Sequence, residues 1–406
     1  MNPDAAHLWR GPRWALPLLL AGLSMIGPFA IDTFLPAFAG IAASLHATPV
    51  QMQQTLSVYL FGFAAMNLFH GALADSFGRR PVVLTGIAVF TLASAGCALA
   101  ESIGALVFWR GVQGLSAGAG MVVARVIVRD LFPPVEAQRV LSQVTIWFGI
   151  APAVAPLIGG ILFDTLGWHS IFWLLVLLGS LIGIVNWRLL PETLAPDARQ
   201  HFAPLPLLRG YAQMVSSVRF LALVVASGIP FNGMFLYVLS APAFLGEHLG
   251  LAPTQFFWFF LCTISGVMSG AWASGRLAGR ITPRRQIRWG YVVMILIGVV
   301  NVAINLWLPK HPASSILPVA IYAFGWSMMT PVVTLLLLDM VPERRGMVSS
   351  VQSSLSSVSN GVVAGVLAPL VMHSGLAMAV ASLVLGLSGL VCWTWVKRRL
   401  TPLPSS

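Results

Sequence analysis

Long apolar runs separated by short polar breaks occupy almost the whole chain, and twelve can be counted, at 15–38, 52–74, 81–100, 104–128, 140–162, 170–190, 218–245, 254–276, 290–308, 314–338, 347–370 and 376–396. A helix rises about 1.5 Å per residue, so roughly 20 residues cross a hydrocarbon core of about 30 Å. A membrane barrel would instead show alternating segments of about 10 residues with a polar inner face. The pattern predicts an all-α integral membrane protein with twelve transmembrane helices. The longest polar stretch, 191–216, falls at the midpoint and contains Pro191, Glu192, Pro196, Asp197, Arg199, Pro204 and Pro206. It divides the chain into an N-terminal six-helix half, 1–190, a linker, 191–216, and a C-terminal six-helix half, 217–406.

Composition agrees with this solvent: 57% of residues are hydrophobic and 9% charged, against about 25% charged in soluble domains. The net charge of +11 raises nucleic-acid binding as a question, which the positions of the basic residues answer. They fall in the even-numbered gaps and at the termini, from Arg10, Arg13, Arg79 and Arg80 through Arg276, Arg280, Arg284, Arg285 and Arg288 to Lys397, Arg398 and Arg399. The odd-numbered gaps hold only Lys310. Basic loops stay cytoplasmic, so both termini are expected inside the cell and nucleic acid is not an expected partner. Cys97, Cys262 and Cys392 all fall within spans, which argues against a disulfide framework or a metal site. The first run imitates a signal peptide ending at Ala37-Phe38-Ala39, but it is too long and contains Asp32 and Pro36.

Two short correspondences between the halves suggest duplication. Gly71-Ala72-Leu73-Ala74 through Arg80 aligns with Gly275-Arg276-Leu277-Ala278 through Arg284, and Asp130 with Pro133 aligns with Asp339 and Pro342. Parallel repeats of this kind are one known transporter plan.

A charge in mid-membrane costs at least about 2.5 kcal/mol and so needs a reason. Of twelve acidic residues only Asp32 lies well inside a span; among basic residues Arg110 does, at a similar depth, and Arg125 lies one turn from a cytoplasmic end, positioned to snorkel. Asp32 and Arg110 are therefore candidates for one aqueous cavity, with Asp32 binding a proton or a cationic substrate; the competing reading is a structural polar contact between helices. Small residues, Gly111, Gly114, Gly118 and Gly120, Gly266 and Gly270, Gly361 and Gly365, are expected to let helices approach closely. Gly114-Leu115-Ser116-Ala117-Gly118 matches a nucleophile elbow only formally, because no strand-to-helix turn, acid or histidine accompanies it. No phosphate loop, carboxylate pair or metal cluster points to an enzyme.

The segment Gly71-Ala72-Leu73-Ala74-Asp75-Ser76-Phe77-Gly78-Arg79-Arg80-Pro81 resembles the signature between spans two and three of the major facilitator superfamily. Leu106 through Gly114, with Arg110 and Gln113, resembles the fourth-span motif of its twelve-span drug:proton antiporter branch. Gly149-Ile150-Ala151-Pro152-Ala153-Val154-Ala155-Pro156-Leu157-Ile158-Gly159-Gly160 resembles that branch's fifth-span antiporter motif, in which proline and glycine favour a bent, closely packed helix. Ile31-Asp32-Thr33-Phe34-Leu35-Pro36-Ala37 is similar to the first span of the bicyclomycin and chloramphenicol resistance (Bcr/CflA) group, as is Phe235 through Phe256 to its seventh-to-eighth-span region. Two departures stand out: Thr33-Phe34 replaces Met-Tyr, removing a phenol, and Ser24 stands where some related exporters carry a second acid.

The resemblance implies proton-coupled export of small amphipathic or drug-like compounds by alternating access. In that reading Asp32 and Arg110 couple to protons; Gly71, Asp75, Gly78, Arg79 and Arg80 form a gating motif; and Gly149, Pro152, Pro156, Gly159 and Gly160 form the antiporter motif. Tyr59, Gln113, Trp147, Phe231, Asn232, Phe235 and Tyr237 are candidate cavity walls by span depth and by aromatic or amide chemistry. The implied setting is a monomer in the cell inner membrane, with small-molecule substrate, protons and lipid as partners and no cofactor besides the proton gradient. The rivals are a metabolite importer or exporter on the same fold and a non-transporting receptor or assembly protein.

Overall fold

The computed structural model describes Trp9, Pro12 and residues 14–200, 204–251 and 255–397. Arg10, Arg13, Arg398 and Arg399 lie outside the described residues, as do Ala252, Pro253 and Thr254 of the seventh-to-eighth-span segment. The described chain is helical, with no strand, and eleven of its helices are long and apolar enough to cross a membrane. A twelfth candidate is the pair Leu208–Ser216 and Val218–Gly228, bent by 78° at a short break.

Local chemistry accounts for many helix boundaries. The Thr48 and Gln51 side chains form a capping box at the start of Pro49–Phe77. Ser102 caps Ile103–Ala117, and Thr282 with Pro283 at the first position starts Pro283–Trp307. Several spans are interrupted. The first runs as Ala15–Asp32, a 3-10 turn Leu35–Ala37 containing Pro36, and then Phe38–Ser44. The fourth is divided at Gly118 into Ile103–Ala117 and Ala119–Leu131. The segment expected as one span at 218–245 consists of Val218–Gly228, Phe231–Leu239 and a π-helical turn Pro242–His248. Pro230 stands at the first break, where its ring cannot donate a helical hydrogen bond.

Two compact units emerge. One comprises 1–133, 147–207 and 341–354; the other comprises 134–146, 208–340 and 355–406. The helices Pro134–Leu166 and Arg345–Val362 each begin in one unit and end in the other.

Within the first unit, Pro49–Phe77 packs on Ile103–Ala117, and Arg79–Ala98 packs on Ile103–Ala117 and His169–Leu189. Within the second, Phe257–Leu277 packs on Pro312–Leu338, and Pro283–Trp307 packs on Pro312–Leu338 and Gly375–Lys397. The two sets of pairings correspond span for span, as a duplicated bundle requires.

Small residues set several of these approaches. A methyl group on Gly114 would meet the backbone of Tyr59, and one on Gly120 the backbone of Leu23. Gly266 and Gly270 stand in the same relation to the backbones of Ala320 and Phe324. Gly361 and Gly365 depart from expectation: both face open space, beside or within the π-helical turn Val363–Leu367.

Candidate functional site

In the first unit the chemistry gathers around Arg110, on Ile103–Ala117. Its side chain is fully buried, and its guanidinium lies 4.2 Å from the ring centre of Tyr59 and 4.7 Å from that of Phe34. Desolvated cation–π contacts of this kind contribute about 2 kcal/mol. Nη1 donates to Gln113 Oε1 at 2.6 Å and to the Ala30 carbonyl at 3.3 Å. Gln113 Nε2 donates onward to Ser94 Oγ at 2.7 Å, and Tyr59 Oη donates to the Gly27 carbonyl at 2.8 Å. Arg110 Nε and Nη2 have no hydrogen-bond partner among the described residues.

Asp32 is the last residue of Ala15–Asp32 and is half-buried. Ala30 and Phe34, the residues two before and two after it, both contact Arg110, alongside Gln113 and Tyr59. No ion pair joins the two charges among the described residues. Phe34, whose missing phenol stood out in the sequence, is fully buried, and its ring faces the guanidinium. The Ser24 hydroxyl donates to the Leu20 carbonyl of its own helix.

The fifth-span glycines meet this same stretch. Gly159 lies against the backbone of Thr33, with no room for a Cβ, and the Gly160 position is 4.0 Å from the Pro36 side chain. Gly149, Pro152 and Pro156 lie in the same continuous helix, Pro134–Leu166; Gly149 is buried and Pro156 half-buried, while the Pro152 side chain is outside those described.

The segment around Asp75 forms a second cluster in this unit. Asp75 is 3% exposed; its carboxylate accepts from the Gly346 and Met347 amides at 3.1 and 2.9 Å, at the start of Arg345–Val362. An anion at a helix N-terminus satisfies donors that have no partner within the helix and complements its dipole. Arg79 pairs with Asp75 and, through Nε at 3.3 Å, with Asp130, which also accepts from Arg345 at 3.1 Å. Gly71 donates its amide to Ser350 Oγ at 2.8 Å and lies against Gly346 so closely that neither tolerates a Cβ.

Gly78 has φ of 105°, which allows the chain to leave one helix and enter the next within a single residue. There Glu192 accepts from the Arg79 and Arg80 amides at 2.9 and 3.3 Å. Arg80 reaches the Trp187 carbonyl. None of these partners was visible in the motif itself.

The second unit repeats the arrangement without a carboxylate. Gln138, near the start of Pro134–Leu166, donates to Gln286 Oε1 and to the Ser274 carbonyl, both at 2.9 Å. Gln286 donates to Ser274 Oγ at 2.9 Å and to the Met328 carbonyl at 2.8 Å. In the alignment of the halves, Gly279 takes the place of Asp75.

The candidate wall residues divide between the units. Tyr59, Gln113 and Trp147 belong to the first, where Trp147 is 44% exposed and the other two are spent on the Arg110 network. Phe231, Asn232, Phe235 and Tyr237 belong to the second. There Phe231 stacks on Phe235, at 5.2 Å between ring centres, and meets Trp326 at 4.9 Å with the rings tilted by 51°, and Asn232 donates to Ser359 Oγ at 2.9 Å. Tyr237 is buried and its hydroxyl accepts from Asn301 at 2.9 Å. Trp326 and Ser359 belong to this cluster although the sequence did not single them out.

Comparison with known proteins agrees with this architecture. The chain is 31% identical over 281 residues to the bicyclomycin resistance protein homolog of Haemophilus influenzae, spanning 69% of this chain and 71% of that protein. It is 26% identical over 393 residues to multidrug resistance protein D of Escherichia coli K12, spanning 95% and 96%. The crystal structure of the human organic anion transporter MFSD10 superposes with a TM-score of 0.70 at 18% identity, spanning 95% of this chain and all of that one, which bears on fold alone. Residues 20–364 match the Major Facilitator Superfamily, and the chain belongs to that family of multi-pass membrane transporters of small molecules.

Proposed function

We propose that this protein exports small amphipathic or drug-like compounds in exchange for protons, by alternating access, from the cell inner membrane with both termini cytoplasmic. The observation that carries the reading is the placement of Asp32 between Ala30 and Phe34, two of the residues that contact the buried guanidinium of Arg110. A single mid-span carboxylate beside a buried cation lets protonation change the local charge balance, and such a change drives transport when proton and substrate favour different states. The names of the relatives, bicyclomycin resistance and multidrug resistance, support drug-like cargo. The Asp75 cluster acts as the gate in this scheme: its hold on Gly346 and Met347 belongs to one state and is released in the other. Phe231, Phe235 and Trp326 offer aromatic surface to the substrate. The protein works as a monomer and draws on the proton gradient alone.

The test is flux in reconstituted vesicles, scanning chloramphenicol-like and other amphipathic compounds with an imposed pH gradient, wild type beside Asp32→Asn. Export that requires the gradient and is lost in the variant at equal insertion is the expected result. Flux unchanged in Asp32→Asn removes Asp32 as the proton carrier, and gradient-driven uptake into cells favours an importer on the same fold.

A further inference from the structure

In the second unit a groove of about 430 Å³ opens on the outer face between Phe257–Leu277 and Pro283–Trp307. Its walls include Trp272, Trp289 and Val292, its floor Phe324 and Met328, and Arg276 stands at its end. Trp272 is 56% exposed and Val292 47%, and the same face continues through exposed Leu296 and Val299, so it fronts lipid. The groove is apolar along its length and cationic at one end. The Arg276 guanidinium lies 4.9 Å over the Trp272 ring, and that of Arg285 lies 5.1 Å over the Trp289 ring. Arg280, Arg284 and Arg288 complete a run of five arginines within 276–288, and no acidic residue occurs in the sequence between Glu247 and Asp339.

Each part of this arrangement has a physical counterpart in one molecule. A guanidinium stacked on an indole keeps its in-plane N–H donors free, and that planar fork matches the oxygens of a phosphate diester. Tryptophan and arginine together mark the headgroup level of a bilayer, and the positive-inside rule assigns the arginine-rich end to the cytoplasmic leaflet. An acyl chain attached to that phosphate then lies along an apolar channel that begins at the same arginine.

We propose that this groove binds one anionic glycerophospholipid of the cytoplasmic leaflet, its phosphate on Arg276 with Arg285 alongside and one acyl chain between Trp272 and Trp289. The site shares no residue with the Arg110 network or the Asp75 cluster, and it does not depend on the direction or cargo of transport.

The test is native mass spectrometry of the full-length protein in detergent, offered equal amounts of phosphatidylglycerol and phosphatidylcholine with matched chains. A basic residue at a membrane surface favours an anionic lipid by roughly fivefold. Wild type is expected to retain phosphatidylglycerol severalfold over phosphatidylcholine, and the Arg276→Gln/Arg285→Gln variant to lose most of that preference. A Trp272→Leu variant is expected to weaken retention of both lipids. Equal retention of the two lipids by wild type overturns the proposal without recourse to any variant. A preference undiminished in the double variant also overturns it, as does displacement of bound phosphatidylglycerol by an equal concentration of inorganic phosphate, which would mark a free-anion site.

Discussion

Replacing Asp75 by asparagine keeps the size of the side chain and one carbonyl acceptor but removes its charge and its second carboxylate oxygen. The wild-type group is 3% exposed, so solvent screens it little. It accepts from two backbone amides, at 3.1 and 2.9 Å, and pairs with Arg79. Hydrogen bonds to a charged group contribute about 1.5–3 kcal/mol each, and removing one partner of a buried ion pair costs about 3–5 kcal/mol. Arg79 keeps Asp130, at 3.3 Å, so the loss falls below the sum of these figures. A drop of about 2–4 kcal/mol in the local opening free energy of segment 345–350 is expected, and with each 1.36 kcal/mol worth about tenfold, amide exchange there rises about 30- to 900-fold. Hydrogen–deuterium exchange of the full chain in nanodiscs, followed in peptides spanning 343–352, measures this directly. Exchange within twofold of wild type in those peptides refutes the assignment of Asp75 as the cap. Equal acceleration in Pro312–Leu338, a helix of the other compact unit, refutes it too, by showing a global rather than a local effect.

Three further outcomes follow from the geometry. Tyr59→Phe removes the hydrogen bond to the Gly27 carbonyl but keeps the ring beneath Arg110, and is expected to lower stability by about 1–2 kcal/mol; Tyr59→Leu also removes the cation–π contact and should lower it by about 2 kcal/mol more in thermal unfolding. Gln138→Leu and Gln286→Leu each strand buried polar partners, so each should cost about 1–3 kcal/mol, while the double variant costs clearly less than the sum; strict additivity in a double-mutant cycle would contradict the network. Gly159→Ala forces a methyl group against the Thr33 backbone at an overpacking cost of about 1–3 kcal/mol, whereas Gly160→Ala has space, so thermal stability and flux should fall in the first and hold in the second.

What could be read from the sequence was what hydrophobic length and charge encode. The spans and the isolation of Asp32 and Arg110 follow from the cost of polar groups in lipid, and the motifs were legible by their resemblance to a family. The partners of those residues were harder to see. Asp75 is held by the amides of Gly346 and Met347, and backbone donors leave no side-chain signature at their positions. Gln138 and Gln286 escaped a census of ionised residues within spans because both are uncharged and fall in gaps between the expected spans, yet both are buried and mutually bonded. Phe34 looked like the loss of a phenol, and only its distance to Arg110 shows the ring in use. Glycine spacing alone did not separate Gly266, pressed on the Ala320 backbone, from Gly361, which packs on nothing within 4 Å.

The composition of the two compact units, each drawing a segment from the other half of the sequence, bears on what either half can build alone. A gene split in the linker would yield an N-terminal product without 341–354 and a C-terminal product without 134–146, the pieces that each unit takes from the other half. The first product would carry Asp75 with no Gly346 or Met347 amide to cap, and the second would carry Gln286 without Gln138. Neither product alone would hold both sides of its own unit's polar cluster. Both products would be needed together to restore these contacts.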